Sequence, residues 1–183
     1  MNFGVLGALQ VTNGDHVVAL AVTPKARLLL TVLLADAGRP VSVDGLVHAV
    51  WGPRPPRSAR RNAQLYVHKL RSLLGAEVIA TAADSYLFTR ADGVDAIRFT
   101  HRFKAGTAAL RAGDPAASGL LRSALDLWRG PAYAGFLGCE PVADQARRLE
   151  EQRLCAYERW AQACVAAHRY EEVVDDLPPL VRA

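Results

Sequence analysis

Residues 58–75 read SARRNAQLYVHKLRSLLG. Wound at roughly 100° per residue, Ala59, Ala63, Tyr66, Val67, Leu70 and Leu74 share one face. Arg61, Leu65, His68 and Ser72 fall opposite, with Gln64, Lys69 and Arg71 on the flanks. The stretch predicts a helix buried on one side and cationic on the other, capped by Ser58 and stopped at Gly75. A solvated surface helix normally mixes charge signs, because i,i+4 pairs of opposite sign support it. Here no acid occurs between Asp44 and Glu77, whereas Arg54, Arg57, Arg60, Arg61, Lys69 and Arg71 all do.

That imbalance is local. The 183-residue chain carries a net charge of +4. Residues 1–94 hold ten Lys/Arg against six Asp/Glu, and residues 95–183 hold twelve of each, so the excess lies wholly in the first half. A concentrated basic surface is the footprint of a polyanion. The major groove of B-DNA admits one α-helix, and Arg, Lys, Gln, Asn and His reach base edges there. The first turns are expected to supply base contacts and the flanking bases phosphate contacts. RNA fits less well: there is no exposed aromatic pair for stacking, and A-form major grooves exclude a helix. The rival reading is a helical-repeat interaction module whose basic helix binds an acidic protein partner.

Working outward, weak alternation predicts strands at 2–7, 8–12 and 16–21, with a turn at Thr12-Asn13-Gly14-Asp15. Thr23-Pro24 opens a helix through Leu28, Leu29, Val32 and Leu33 that stops at Gly38-Arg39-Pro40. Ser42 or Asp44 caps a short helix, Gly45–Trp51, which the Gly52–Arg57 segment breaks. After Gly75, Val78–Thr81 and Tyr86–Arg90 predict a hairpin with a polar tip, Ala82-Ala83-Asp84-Ser85, able to reach a neighbouring minor groove. A first domain, 1–92, is expected to end at Asp92-Gly93-Val94-Asp95.

The second domain, 95–183, shows no strand signal. Phe99, Phe103 and Leu110 recur at helical spacing. Leu120, Leu121, Ala124, Leu125 and Trp128 stripe a second helix, and a Gly/Pro-containing loop follows over 129–140. A long helix, 142–167, is expected to put Leu154, Tyr157, Ala161 and Cys164 on one side. The turns in LRAGDPAAS and VAAHRYEEV echo one another, as in stacked tetratricopeptide hairpins. Pro178 and Pro179 require the last helix to bend or start anew.

Half the residues are apolar, enough for a real core. No apolar run approaches the roughly 18 residues of a membrane span, and MNFGVLGALQV lacks the features of a signal peptide. The expected location is cytoplasmic, with no membrane partner. Cys139, Cys155 and Cys164 lack metal-ligand spacing and read as buried small hydrophobes in a reducing cytoplasm. The histidines are scattered, and no GxSxG, P-loop, HExxH or dinucleotide fingerprint occurs. No cofactor, metal or enzymatic site is expected; Trp128 and Trp160 are expected in the core.

The succession FGVLGALQV, PKARLLLTVLLADAGRPVSVDGLVHAVWG and ARRNAQLYVHKLRSLLG resembles the Streptomyces antibiotic regulatory proteins, and so do the later segments ALDLWRG, RLEEQRL and HRYEEVV. The resemblance covers essentially the whole chain, with the motifs in order. It implies an α+β fold: an N-terminal winged helix-turn-helix of OmpR type, followed by an all-α tetratricopeptide-like bacterial transcriptional activation domain. It implies a transcriptional activator of an antibiotic biosynthetic cluster. Such a protein binds direct repeats of double-stranded promoter DNA near the −35 element as a head-to-tail pair and recruits RNA polymerase holoenzyme through its sigma factor and alpha subunit. By position, Arg60, Arg61, Gln64, His68, Lys69 and Arg71 fall on the recognition helix, Arg54 and Arg57 in the loop before it, and Thr81, Ser85, Tyr86 and Arg90 on the wing. Where the family usually shows a basic residue and Pro-Pro-Gly-Tyr in the wing, this chain has Ala82-Ala83-Asp84-Ser85-Tyr86. Asp84 should repel phosphate, and no contact is expected from position 82. His68 stands where a smaller residue is common. Family members continue through further helices, which leaves a truncated chain, the start of a longer protein and a natural short version all open. In each case the last helix should want a partner.

Overall fold

Thr23 accepts a hydrogen bond from the Ala26 amide at 3.3 Å and starts helix α1, Pro24–Ala35, with Pro24 in its first turn. A proline there costs nothing, because that N–H has no intrahelical partner. In this computed structural model, which describes residues 1–176, α1 is the hub of the first half. Leu30 and Leu34 are buried along with Leu29, Val32 and Leu33, so α1 is enclosed on more sides than its expected stripe. Gly38, at φ +84°, turns the chain out of the helix, and its amide donates to the Phe88 carbonyl at 3.1 Å.

The N-terminal sheet is β1 (Asn2–Gly4), β2 (Gln10–Asn13) and β3 (His16–Val17), antiparallel throughout. These strands are shorter than expected: β1 ends at Gly4 and β2 starts at Gln10 because residues 5–8 leave the sheet to pair with the second half, and β3 stops at Val17. A strand absent from the sequence reading, β4 (Pro40–Ser42), follows α1. It pairs with β6 (Ser85–Phe88), which in turn pairs with β5 (Ile79–Ala82). Three residues starting with proline give no alternation signal; the edge of the hairpin makes them a strand, and proline is tolerated at such an edge.

Ser42 caps helix α2, Val43–Trp51, through the Gly45 amide at 3.0 Å. Gly52, at φ +76°, breaks it. Helix α3 spans Ala59–Leu74. The expected Ser58 cap does not form: Ser58 is already helical at φ −82°, ψ −3°, and its hydroxyl oxygen accepts from Asn62 Nδ2 instead. The hairpin turn is the pair Ala83-Asp84, with Ala83 at φ +49°.

A short 3-10 turn, Ala91–Gly93, leads into α4 (Asp95–Arg111), α5 (Ala117–Leu125), α6 (Glu140–Ala166) and α7 (Tyr170–Asp176). Gly106 lets α4 approach α5, since a Cβ at that position would lie 2.6 Å from Leu121 Cγ. The echoed turns are equivalent in geometry. Gly113 and His168 both sit at positive φ, +69° and +58°. The next amide closes each turn five residues back, Asp114 to the Ala109 carbonyl and Arg169 to the Cys164 carbonyl, both at 2.9 Å. Helical hairpins α4–α5 and α6–α7 therefore share one design. Trp160 is buried, whereas Trp128 lies beyond the end of α5 and is half-buried against Phe99. Leu154 is corrected: it is 58% exposed, and the buried side of α6 is formed by Val142, Ala146, Leu149, Ala156, Trp160, Ala163 and Cys164. The readings on Pro178 and Pro179 lie outside the described residues.

The halves share one continuous core. The Arg129, Tyr133 and Ala134 amides donate to the Leu6, Val5 and Gly7 carbonyls, so the α5–α6 loop runs alongside residues 5–8. Asp95, only 3% exposed, accepts from the Val5 and Leu6 amides and from the Arg129 guanidinium at 3.2 Å. Arg129 also reaches Gln10 Oε1. Among the described residues, no helix is long and apolar enough to cross a membrane.

Candidate nucleic-acid interface

Helix α3 lies on the first half with Ala59, Ala63, Val67, Leu70 and Leu74 buried. Tyr66 stacks on Trp51 of α2, ring centroids 6.0 Å apart, fixing the angle between the two helices. The opposite face is open: Arg61, Gln64, Leu65, His68, Lys69 and Ser72 are all exposed. Arg54 and Arg57 are exposed in the preceding turn. Among the described residues, Arg54, Arg57, Arg61 and Lys69 form no ion pair, so four cations line one ridge and its approach.

Two bases of the helix are engaged elsewhere. Arg60 was expected to lack a balancing acid. Instead it donates to Asp44 Oδ1 at 3.0 Å and grips Asp84 with both amino groups, at 3.1 and 3.0 Å. The carboxylates come from the start of α2 and the tip of the hairpin, which local sequence cannot place beside it. All three side chains are well exposed, so the cluster contributes only about 0.2–1 kcal/mol per pair. Its role is geometric: it ties the wing tip to the start of α3 and partly neutralises Asp84. Arg71 donates from Nε to the Ile79 carbonyl at 2.8 Å and from Nη2 to Thr81 Oγ1 at 2.7 Å, and lies over the Tyr86 ring at 5.8 Å.

The wing residues divide likewise. Thr81 is exposed, with its hydroxyl held by Arg71. Ser85 is half-buried, and Arg90 is exposed beyond β6. Tyr86, expected among the DNA-binding residues of the wing, is buried at 8% exposure beneath Arg71 and is not free to contact a ligand. Leu65, which helical spacing puts opposite the buried stripe but which is not among the expected contact residues, belongs on the ridge. Leu65 is 48% exposed on the line of Arg61 and His68, where an apolar side chain can meet a thymine methyl. Its position opposite the core stripe was the available signal.

A helix standing proud on two others with a β-hairpin beside it, its outer face carrying bases that form no ion pair among the described residues, defines a winged-helix regulator. Residues 17–88 match the family model described as "Transcriptional regulatory protein, C terminal", and residues 94–183 match "Bacterial transcriptional activator domain". The chain is 36% identical to the transcriptional regulatory protein EmbR of Mycobacterium tuberculosis, over 98% of this chain and 48% of EmbR. It is 34% identical to the regulatory protein AfsR of Streptomyces coelicolor, over 100% of this chain and 18% of AfsR. With the regulatory protein DnrI of Streptomyces peucetius it shares 30% identity over 98% of this chain and 71% of DnrI. The structure of M. tuberculosis EmbR in complex with a low-affinity phosphopeptide superposes with a TM-score of 0.89 at 35% identity, covering 98% of this chain and 49% of that one. The chain belongs to the Streptomyces antibiotic regulatory protein family of DNA-binding transcriptional regulators, and it spans about half the length of EmbR.

Proposed function

We propose that this chain is a sequence-specific transcriptional activator of a secondary-metabolite, in particular an antibiotic, biosynthetic gene cluster. It acts in the cytoplasm on double-stranded promoter DNA. The observation that carries this reading is the open face of α3, with Arg61, Gln64, Leu65, His68 and Lys69 exposed together and no carboxylate paired to its two free cations among the described residues. In the proposed mode α3 enters the major groove. Arg61, Gln64 and Lys69 read base edges, His68 reaches an acceptor, and Leu65 meets a methyl group. Arg54 and Arg57 hold phosphates, and Arg90 and Ser85 approach the backbone from the wing side. Arg60, Arg71 and Thr81 set the geometry of that surface. Two copies bind direct repeats near the −35 element head to tail, and the helical half recruits RNA polymerase holoenzyme through its sigma factor and alpha subunit.

Footprinting on the promoters adjoining its own gene, with and without polymerase, tests the reading. The expected result is protection of two directly repeated half-sites abutting the −35 element, extended downstream by polymerase. Affinity should fall with salt at a slope of about −0.9 for each phosphate neutralised. Equal protection of unrelated DNA, or an affinity indifferent to salt, would refute it.

A further inference from the structure

Away from α3, a groove of about 700 Å³ runs between α4 and α6. Lys104 and Arg111 stand on its α4 wall and Arg148 and Arg159 on its α6 wall, and among the described residues Glu151 is the one carboxylate lining it. All four bases are exposed, and none forms an ion pair among the described residues. The contrast within α6 is informative. Arg147 is paired to Asp144 at 3.0 Å and Arg153 to Glu150 at 3.6 Å, whereas the two arginines facing the groove are left without carboxylates. The lining between the walls is mixed: Phe103 and Ala108 are apolar, Gln152 offers an amide, and Cys155 is exposed.

We propose that this groove binds an extended acidic peptide segment of another protein, one whose carboxylates alternate with apolar side chains. Arg148 and Arg159 lie eleven positions apart on one helix, about 16 Å at the α-helical rise, which is the reach of roughly five extended residues. Carboxylates on such a segment meet the cationic walls, where arginine forks suit them. Apolar residues between them cover Phe103 and Ala108. Duplex DNA suits the groove less well, because a phosphate backbone leaves an apolar floor unused and a wide cylinder does not enter a cleft between two helices. The inference does not depend on α3 binding DNA.

The test uses the full chain and a fluorescein-labelled synthetic peptide, Asp-Glu-Leu-Asp-Glu-Phe-Glu, against its Asn/Gln counterpart, read by fluorescence anisotropy. Alkylation of Cys155 by iodoacetamide gives a second readout at the site. Cys139 and Cys164 are buried and their thiols are pushed up by desolvation, so Cys155 should react first. The acidic peptide should bind at least tenfold tighter than the neutral one and slow Cys155 alkylation at least fivefold at saturation. Arg148→Glu with Arg159→Glu should abolish both effects while leaving thermal melting and promoter binding unchanged. Should that pair fail to fold, Lys104→Gln with Arg111→Gln, from the opposite wall, should weaken peptide binding at least tenfold. Equal binding of the neutral peptide, undiminished binding by the folded variants, or better protection of Cys155 by a random duplex than by the peptide would each overturn the proposal.

Discussion

Arg71 and Lys69 lie two positions apart in one helix and should fail differently when replaced. Lys69 is exposed with no ion pair among the described residues, so Lys69→Ala should leave the melting temperature alone and cost about 1–3 kcal/mol in binding to the preferred site. Arg71 clamps the Ile79 carbonyl and Thr81 hydroxyl, so Arg71→Ala should lower stability itself by about 1–2 kcal/mol, measured by chemical denaturation without DNA. An unchanged unfolding midpoint would return Arg71 to the list of free DNA contacts. In the proposed mode Arg57 meets a phosphate, which carries no base information, so Arg57→Ala should weaken binding to operator and random duplexes alike in a titration of both. Helical periodicity places these residues off the buried face of α3. It could not show which were already occupied, because Asp44 and Asp84 reach Arg60 only through the fold. The inward turn of Tyr86 is hidden for a different reason: β6 spans four residues, too few for alternation to tell its inner face from its outer one.

At the level of elements, the helices were legible wherever a cap or a glycine punctuated them. Thr23-Pro24 and Ser42 open α1 and α2 by the expected side-chain bonds, and the Gly113 and His168 turns show that the echo between hairpins reflects one repeated closure. What the sequence hid were pairings made across distance, namely β4 against β6 and residues 5–8 against the α5–α6 loop. The close approach of α4 to α5 gives an element-scale prediction. Gly106→Ala places a methyl 2.6 Å from Leu121 Cγ and should destabilise by about 1–3 kcal/mol through overpacking. An unfolding midpoint equal to that of the parent would mean the helices separate freely.

Across the whole molecule, the buried Asp95 joins the halves. Asp95→Ala leaves the Val5 and Leu6 amides without their acceptor and Arg129 without its carboxylate, and should cost about 2–4 kcal/mol by chemical denaturation. Loss confined to the helical half, with the winged half melting unchanged, would contradict the shared core. Tyr133, at 1% exposure, supplies a pH signature. Burial chiefly, then the charges of Asp95 and Asp36, raise its phenol well above the usual value near 10. A raised native pKa gives a contribution that is full below about pH 10 and lost above it, as the unfolded chain ionises first. Stability should therefore start to fall near pH 10 and go on falling as the pH rises further, and Tyr133→Phe should flatten that fall. The same decline in the Phe variant would assign it elsewhere.

The strap formed by residues 5–8, the 129–134 loop and the Asp95–Arg129 lock fastens the reading head to its helical partner half. In the proposed mode, a base-reading helix and a polymerase-facing surface so joined transmit torque, and they cannot absorb a change of angular phase along the promoter. Inserting five base pairs between operator and −35 element should then silence transcription, and inserting about ten, one full turn of the duplex, should restore most of it.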